Sequence, residues 1–347
     1  MHISKKIRVL VVDDSLVFRE ILKKGISSDK DIEVVAVAGD PFEAKDKILE
    51  YNPDVMTCDI EMPRMNGIEF IRRLMPQYPL PVIVISAVNG AVFDAINAGA
   101  VDFIPKLNAA DLRAVESFIR DIIIKIKAAS LSKVRISEQK RVVLGQQPAA
   151  ELDTRKIIAI GASTGGTEAI SRIISQLPAG MPGIVIVQHI PPVFSRMFAD
   201  RLNNSSMLEV KEASNGDYVS PGRVLIAPGN KHMTVKRVGD RYRVECFEGE
   251  KVNGHCPSVD VLFESVAREA KNNAIGVILT GMGYDGAKGL LMMKRRGAKT
   301  IGQDEESSVI YGMPKAAYNI GAVDRQVHLD NMAKLLLNIC MKDKDKI

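Results

Sequence analysis

Short apolar runs alternate with amphipathic stretches along the first third of the chain. The amphipathic stretches repeat apolar residues at intervals of three and four, as one face of a helix does, and residues 111–127 are the clearest example. Strands that alternate with helices through short loops indicate a parallel sheet covered by helices. The apolar runs are rich in β-branched residues and predict strands at 8–12, 34–37, 55–58, 82–85 and 101–104.

The second half of the chain repeats this alternation. Its strand-like runs, at 157–160, 183–187, 223–226 and 275–279, are mostly apolar, as in strands buried on both faces. Residues 233–247 differ, because charged residues are interleaved around Gly239-Asp240, and they predict an exposed hairpin. The sequence therefore predicts an α/β fold with two domains, each a doubly wound, mainly parallel sheet.

A stretch without periodicity separates the two halves. Residues 128–154 mix charges and contain Gly145 and Pro148, which is typical of an exposed tether. We therefore predict one domain at 1–127, a linker at 128–154 and a second domain at 155–347. A chain of 347 residues is long enough for each domain to bury its own core.

The net charge of +5 is concentrated in and beside this tether. Between residues 125 and 143 there are six lysines and arginines and one glutamate, so this segment alone carries 6 − 1 = +5. The rest of the chain is balanced, whereas a nucleic-acid-binding domain presents a basic face. We therefore expect no nucleic-acid partner.

Other features of the composition indicate a cytoplasmic protein that does not insert into a membrane. No apolar run has the length of a membrane span, and the N-terminal residues lack the apolar segment and cleavage site of a secretory signal. The four cysteines are widely spaced without a C-x-x-C pair, so we expect reduced thiols rather than disulfides or a zinc site.

Polar residues follow four of the five strands predicted in the first domain. Any one of them could merely cap a helix, but the carboxyl ends of parallel strands meet at one sheet edge, which favours a shared site. Clustered carboxylates repel each other unless a cation lies among them, and oxygen ligands suit Mg²⁺. A carboxylate beside Mg²⁺ can accept a phosphoryl group while a hydroxyl and an ammonium stabilise the transferred oxygens. These residues are Asp13, Asp14, Asp59, Ser86 and Lys106.

This set of residues resembles the receiver domain of two-component response regulators. The motifs that carry the resemblance are Val11-Val-Asp-Asp-Ser15, Cys58-Asp-Ile-Glu-Met-Pro63, Asn66-Gly67, Ile85-Ser-Ala87 and Ile104-Pro-Lys106. The resemblance implies a flavodoxin-like fold, with Asp59 as the phosphoacceptor and a sensor histidine kinase as the phosphodonor. It also implies that Ser86, Lys106 and the aromatic Phe103 respond to the phosphate. The implied Mg²⁺ ligands are Asp13, Asp14, Asp59 and the backbone carbonyl of Glu61.

A serine lies between a strand and a helix at the start of the second domain. Gly161-Ala-Ser-Thr-Gly165 follows an apolar run and precedes apolar residues with helical spacing. A G-x-S-x-G turn exposes the serine hydroxyl, here Ser163, and leaves backbone N–H groups available to an oxyanion. The same turn could instead hold a phosphate or be only a tight connection, although a dinucleotide fingerprint requires glycine where Ser163 stands.

Two further strand ends carry the partners that a nucleophilic serine needs, His189 and Asp285. An imidazole can take the serine proton, and a carboxylate orients the imidazole and stabilises its charged form. The order Ser–His–Asp differs from the Ser–acid–His order of α/β-hydrolases, so we expect a separate fold. Glycines around Met282 suit a backbone turned towards a ligand, so the N–H groups of Thr164 and Met282 are candidates for an oxyanion hole.

Other titratable residues compete for these roles. His232 and His255 could approach the site from loops, but neither directly ends a buried apolar strand, so we favour His189 as the base. No two histidines lie at ligand spacing, which disfavours a metal site in this half. We interpret Asp260 as the N-cap of a helix that begins at Val261.

The second half is similar to the chemotaxis protein-glutamate methylesterases of CheB type. The motifs are Ile160-Gly-Ala-Ser-Thr-Gly-Gly-Thr167, Val187-Gln-His-Ile-Pro191, Ala227-Pro-Gly229, Pro257-Ser-Val-Asp260 and Leu279-Thr-Gly-Met-Gly-Tyr-Asp-Gly286. The resemblance implies a Rossmann-like methylesterase domain that hydrolyses glutamate γ-methyl esters on chemoreceptors and deamidates specific glutamines. It assigns Ser163 as the nucleophile, His189 as the base and Asp285 as the orienting acid.

Together the two resemblances cover nearly the whole chain and imply an enzyme activated by phosphorylation. The unphosphorylated receiver would cover the active-site groove, and phosphorylation of Asp59 would weaken that interface. The implied partners are methyl-accepting chemoreceptors as substrate and a sensor histidine kinase as phosphodonor. Mg²⁺ is implied in the receiver and no cofactor for the ester reaction, and we expect a monomer.

Two other classes of protein remain as alternatives. A receiver joined to a DNA-binding output domain would need a recognition-helix module after the linker, and the sequence shows none. A nucleotide-binding oxidoreductase would need the glycine that Ser163 replaces. The sequence therefore favours a phosphorylation-regulated esterase and amidase.

Overall fold

The computed structural model describes residues 5–87, 91–107, 112–132 and 152–342. The chain forms two compact units, Met1–Gln139 and Lys140–Ile347. Most of the predicted linker at 128–154 lies outside the described residues, and the last helix of the first unit continues to Ser130. The predicted domain boundaries stay predictions.

The first unit alternates strands and helices from end to end. Its elements are β1 (Ile7–Val12), α1 (Leu16–Ile26), β2 (Ile32–Ala38), α2 (Pro41–Tyr51), β3 (Val55–Asp59), α3 (Gly67–Leu74), β4 (Val82–Ser86), α4 (Ala91–Asn97), β5 (Asp102–Pro105) and α5 (Leu112–Ser130). The strands pair in parallel in the order β2-β1-β3-β4-β5. This is the flavodoxin-like order of a doubly wound sheet, which gathers the carboxyl ends of β1, β3 and β4 at one edge.

Side-chain caps determine where three of these helices begin. The side chains of Ser15, Asp40 and Asn66 accept hydrogen bonds from backbone N–H groups in the first turns of α1, α2 and α3. The first of these caps comes directly after the Asp13-Asp14 pair, so the end of β1 and the start of α1 fix the backbone that carries both carboxylates.

The second unit contains a larger parallel sheet and a small antiparallel one. Its elements are β6 (Ile157–Ala162), α6 (Gly166–Ile174), β7 (Gly183–Gln188), α7 (Phe194–Ser205), β8 (Glu209–Glu212), β9 (Tyr218–Val219), β10 (Arg223–Ile226), β11 (His232–Val238), β12 (Arg241–Phe247), α8 (Val259–Glu269), β13 (Ala274–Ile278), α9 (Ala287–Arg295), β14 (Lys299–Gln303), α10 (Met313–Asn319), β15 (Arg325–Val327) and α11 (Leu329–Cys340).

The strand order of the larger sheet determines where a site can form. Seven parallel strands lie in the order β15-β14-β13-β6-β7-β10-β8. The chain builds outwards from β6 through β7 and then returns to β13 on the other side of β6. The crevice between the carboxyl ends of β6 and β13 is therefore the topological switch point, the usual binding position in such sheets. The predicted fold class, two doubly wound and mainly parallel α/β domains, is confirmed.

The predicted hairpin is present but only partly exposed. Strands β11 and β12 pair in antiparallel register, and β9 adds a third strand. Alternate residues of the hairpin are buried and belong to the main core, because one face of β11 packs against α8. The expectation of an exposed hairpin was wrong for that face. The buried residues are Met233, Val235, Tyr242 and Val244.

None of the helices in the described part of the chain combines the length and the apolar character that a membrane span requires.

Candidate active site

Ser163 lies at a sharp corner between β6 and α6. Its N–H donates to the carbonyl of Thr280 at 3.0 Å, and its carbonyl accepts from the N–H of Gly166 at 2.7 Å. Gly165 has φ +78°, a left-handed conformation that favours glycine, and a Cβ there would lie 2.7 Å from Val309. The turn therefore holds Ser163, which is half-buried, at the carboxyl end of β6 and just before the start of a helix.

His189 follows β7, which pairs with β6. Its backbone N–H donates to the carbonyl of Ala162 at 3.0 Å, so the residue after β7 lies beside the residue that precedes Ser163. The imidazole is 8% exposed, and Nε2 lies 2.9 Å from Oδ2 of Asp285. Within the described part of the chain, the buried Nδ1 has no hydrogen-bond partner.

Asp285 follows β13 on the other side of β6 and is almost completely buried. Besides His189, its carboxylate accepts hydrogen bonds from two side chains and two backbone N–H groups. The two backbone groups lie in the first turn of α8, where donors have no partner inside the helix. Asp285 therefore satisfies two backbone donors in the first turn of α8. The donors are Asn253 Nδ2 (2.7 Å), Ser258 Oγ (2.8 Å), Val259 N (2.7 Å) and Asp260 N (3.3 Å).

These hydrogen bonds keep Asp285 ionised. Burial alone raises the pKa of Asp285, but hydrogen bonding and charge from His189, with the bonds from Asn253 and the Val259 N–H, outweigh burial and hold the pKa well below its usual range. A carboxylate that accepts from Nε2–H fixes the imidazole tautomer. Nδ1 is then the nitrogen that carries a lone pair and can accept a proton.

The competing histidines lie in different surroundings. The ring of His255 stacks on that of His189, with centroids 3.7 Å apart and planes at 10°. His232 is buried, its Nε2 lies 2.9 Å from the carbonyl of Glu250, and its Nδ1 accepts from the N–H of Ser258 at 3.3 Å. Of the two alternative histidines, His255 contacts the candidate base, His189. Asp285 nevertheless pairs with His189, which supports His189 as the base.

Asp260 does not have the role that its sequence position suggested. The N-cap of α8 is Ser258, two residues earlier, so the interpretation of Asp260 as the N-cap was wrong. Its buried carboxylate instead accepts from the N–H of Gly289 at 2.7 Å and from Asn253 Nδ2 at 2.7 Å. Burial raises the pKa of Asp260, and the nearby charge of Asp285 acts in the same direction. Asn253 therefore bridges two buried carboxyl groups.

The two predicted oxyanion donors lie in loops that border Ser163. Thr164 is the next residue of the turn and is buried, whereas Met282 lies in the loop after β13 with 36% of its surface exposed. Gly281 brings this loop against the nucleophile, because a Cβ on Gly281 would lie 2.7 Å from Ser163 Cβ. The hydroxyl of Thr280 donates to the carbonyl of Thr164 at 3.1 Å and so links the two loops.

A half-buried serine, an imidazole and an ionised carboxylate thus occupy three adjacent strand ends, of β6, β7 and β13. This arrangement suits acyl transfer to a serine: the imidazole can accept the serine proton, and the carboxylate can stabilise the resulting imidazolium. Two residues that sequence reasoning missed, Asn253 and Ser258, bond to Asp285, and His255, which the sequence offered as a competing base, stacks on His189. The signal available for them was a polar loop directly before a helix.

The first unit brings its predicted carboxylates together at the edge of its sheet. Ligand atoms of Asp13, Asp14 and Asp59 all lie within 4.8 Å of one another. Burial raises the pKa of Asp13, and Asp59 raises it further, against hydrogen bonds from Lys106 and the Ser15 N–H. A group made only of carboxylate oxygens fits a hard divalent cation, which would relieve this repulsion.

The remaining residues predicted for this site lie around the carboxylates. Lys106 Nζ forms ion pairs with Asp59 and, at 2.8 Å, with Asp13. Ser86 is the last residue of β4 and is buried, and its carbonyl accepts from the Lys106 N–H. Phe103 is buried with its ring edge-to-face on Phe93, at 5.8 Å.

Glu61 contacts this site through its backbone. Its N–H donates to Asp59 Oδ1 at 3.2 Å, so the loop after β3 folds back onto the proposed phosphoacceptor. The role of its carbonyl as a metal ligand stays a prediction.

Comparisons with known proteins identify a family for each half of the chain. Residues 158–336 match the family described as CheB methylesterase, and residues 9–115 match the response regulator receiver domain. A protein-glutamate methylesterase/protein-glutamine glutaminase of Syntrophomonas wolfei is 55% identical over 96% of this chain and 98% of its own length. A protein of the same description from Salmonella typhi is 44% identical over 96% of each chain. The crystal structure of the Thermotoga maritima CheB methylesterase catalytic domain is 39% identical, covers 53% of this chain and 98% of its own, and superposes with a TM-score of 0.52.

Proposed function

This chain belongs to the CheB methylesterase family, in the form that carries a response regulator receiver domain, and from that premise we propose how its residues perform and regulate the reaction. The enzyme is a protein-glutamate methylesterase with protein-glutamine glutaminase activity. Residues 158–336 match a methylesterase family, so the two alternatives considered from the sequence, a DNA-binding output domain and a nucleotide-binding oxidoreductase, are set aside.

In the proposed acylation step, Ser163 Oγ attacks the side-chain acyl carbon of a glutamate γ-methyl ester. His189 Nδ1 takes the serine proton, and Asp285 stabilises the imidazolium through Nε2. The N–H groups of Thr164 and Met282 donate to the oxyanion that forms on the former carbonyl oxygen. The tetrahedral intermediate then expels the methoxy group, which leaves as methanol with the proton from His189.

Deacylation uses the same groups in reverse. His189 removes a proton from water, which attacks the acyl-enzyme, and the proton returns to Ser163 as the glutamate carboxylate departs. A glutamine side chain enters the same sequence, except that the leaving group is ammonia. One site therefore serves both the ester and the amide, which differ in the leaving group but share the acyl carbon and the oxyanion.

The surroundings of Asp285 support this division of roles. Because hydrogen bonds hold the pKa of Asp285 well below its usual range, this carboxylate stays charged throughout the neutral range. It can therefore stabilise the imidazolium without taking its proton. Nδ1 of His189, buried and without a partner in the described part of the chain, is left to exchange protons with Ser163 and the leaving group.

We further propose that phosphorylation of Asp59 activates the enzyme. Mg²⁺ bound by Asp13, Asp14 and Asp59, with the Glu61 carbonyl, would neutralise charge on the incoming phosphoryl group. Lys106, already paired with Asp59, and Ser86 would then bind the phosphoryl oxygens, and Phe103 would respond to the movement of Ser86. The proposed partners are a sensor histidine kinase and methyl-accepting chemoreceptors.

The observation that carries the proposal is the His189–Asp285 pair at the switch point of the sheet. The backbone N–H of His189 donates to the carbonyl of Ala162, the residue directly before Ser163. The test is methanol release from methylated receptor membranes by the full chain, with and without a small-molecule phosphodonor and Mg²⁺. We expect release that rises with the phosphodonor. Absence of both methanol and ammonia release from a chain phosphorylated on Asp59 would overturn the proposed substrate.

A further inference from the structure

Gln188 connects the strand end that carries the nucleophile to the strand end that carries the base. It is the last residue of β7, its side chain extends towards β6, and the residue is 3% exposed. Its Nε2 donates to the carbonyl of Ser163 at 2.8 Å and to the carbonyl of His189 at 3.2 Å. One buried carboxamide thus spans the two turns on which acyl transfer depends.

The neighbours of this carboxamide fix its orientation. The atom that faces two carbonyl oxygens must be the donor, so it is the NH₂ group rather than the amide oxygen. The amide oxygen lies against Gly166, where a Cβ would be only 2.1 Å away. The glycine at the start of α6 therefore leaves room for the carboxamide.

The bond to the Ser163 carbonyl sets the direction of the next N–H group. The peptide between Ser163 and Thr164 is planar, so its C=O and its N–H point in opposite directions. Two donors hold this carbonyl, Gln188 Nε2 at 2.8 Å and the Gly166 N–H at 2.7 Å. With the carbonyl held on the β7 side, the N–H of Thr164 is directed away from β7.

We propose that Gln188 is a positioning residue for the ester and amide reaction: it holds the Ser163–Thr164 peptide in the plane that presents the Thr164 N–H to the oxyanion. This inference rests on the proposed function, because it presumes an oxyanion formed by attack of Ser163. Gln188 touches neither the substrate nor the reacting atoms and acts through the peptide that it orients.

Gln188→Met in the full chain tests this role, because methionine fills a similar volume without either donor. We expect kcat for methanol release to fall by about 10- to 100-fold, less than the 100- to 1,000-fold that follows removal of an oxyanion donor. KM should stay within about twofold, since the ground-state ester has no oxyanion. The pH midpoint of kcat/KM should not move, because the His189–Asp285 bond remains.

Gln176→Met is the matched control, since Gln176 also donates to a backbone carbonyl, that of Arg172, but near the C-terminal end of α6. We expect its kcat and KM to equal those of the wild type. If Gln188→Met does not fold, Gln188→Asn serves instead, because its shorter side chain cannot reach the Ser163 carbonyl. Wild-type kcat in whichever Gln188 variant folds overturns the proposal, as does a loss of activity accompanied by a shifted pH midpoint.

A second measurement separates this proposal from the proposed substrate. A fluorophosphonate forms a bond from Ser163 Oγ to phosphorus and releases fluoride, and its phosphoryl oxygen occupies the oxyanion position. We expect Gln188→Met to slow labelling of Ser163 by about 10-fold or more. Labelling of the wild type without methanol release would overturn the substrate while leaving Gln188 testable. Equal labelling rates in the two proteins overturn the role of Gln188, and failure to label the wild type overturns the nucleophile and this inference together.

Discussion

Gly281 lies against the nucleophile, so the Gly281→Ala variant should displace Ser163 without removing any functional group. The new Cβ would lie 2.7 Å from Ser163 Cβ and 2.4 Å from Met313 Sδ. Met313 is fully buried, so it has little room to yield. Non-bonded carbon atoms prefer about 3.5–4.0 Å, so the two Cβ atoms must separate by at least about 0.8 Å, the difference between 3.5 and 2.7 Å.

A displacement of this size should affect catalysis more than stability. A misplacement of about 1 Å can cost catalysis about 100-fold, so we expect kcat to fall by about 10- to 100-fold. Overpacking of a core costs about 1–3 kcal/mol of the free energy of unfolding. For a unit of this size, that cost lowers Tm by roughly 2–12 °C. The variant should therefore remain folded at 25 °C while it loses most of its activity.

Methanol release from methylated receptor membranes, with the phosphodonor at saturation, measures kcat, and thermal unfolding measures Tm. Gly239→Ala is the control, because Gly239 has φ +64° in the hairpin turn and no atom lies within 4 Å of its Cβ position. That variant loses stability through backbone strain alone, by about 1–2 kcal/mol. Wild-type kcat in Gly281→Ala would refute the close contact with Ser163, and an equal loss in both variants would assign the effect to stability.

Three further variants test the carboxylates of the two sites. Asp285→Asn should lower kcat by ~10⁴-fold. The folded-state pKa of Asp285 lies below its ordinary value of 3.8, so its contribution to stability is present above that pH and is lost as pH falls below it. The free energy of unfolding of Asp285→Asn should therefore fall less steeply with acid than that of the wild type. An unchanged slope would contradict the lowered pKa. Asn253→Gly introduces a residue that tolerates φ +53° but removes the hydrogen bonds to Asp260 and Asp285. We expect kcat to fall about 10-fold. Unchanged activity would show that Asn253 does not support Asp285 in catalysis. Asp59→Asn should retain the basal rate and lose activation by the phosphodonor, whereas Asp54→Asn, at the other end of β3, should retain both; activation that survives in Asp59→Asn would contradict the phosphoacceptor assignment.

The positions of the main functional residues were predictable because they end apolar strands. A buried parallel strand is apolar along most of its length, so the residues after it stand out: Ser163 and His189 directly follow β6 and β7, and Asp285 is the first charged residue after β13. The strand order was not predictable in the same way, because it depends on which way each crossover runs. Only the order β13-β6-β7 places the three residues side by side.

The residues that support Asp285 were not predictable, because their contacts join distant parts of the chain. Ser258 and Asn253 bond to Asp285 across 27 and 32 positions, and no local pattern indicates such pairs. The error over Asp260 has the same origin: the first N–H groups of α8 donate to the carboxylate of Asp285, which lies beyond another strand, rather than to a local side chain.

Short strands were missed for a different reason. The edge strand β15 has three residues and β8 has four, so each is too short to show a periodic pattern. Strand β14 has five residues, but its sequence, Lys299-Thr-Ile-Gly-Gln303, contains a single large apolar residue. Their pairing with longer neighbours in the sheet, rather than their own sequences, makes them strands.

The central claim is that Ser163 is the nucleophile, and methanol release by the Ser163→Ala chain of 347 residues tests it most directly. The measurement uses methylated receptor membranes with Mg²⁺ and a small-molecule phosphodonor; phosphorylation of Asp59 in the same sample verifies that the first unit is folded, and thermal unfolding verifies the second. We predict that release falls by at least ~10⁴-fold while phosphorylation and Tm stay at wild-type values. Methanol release within tenfold of the wild-type rate would contradict the account.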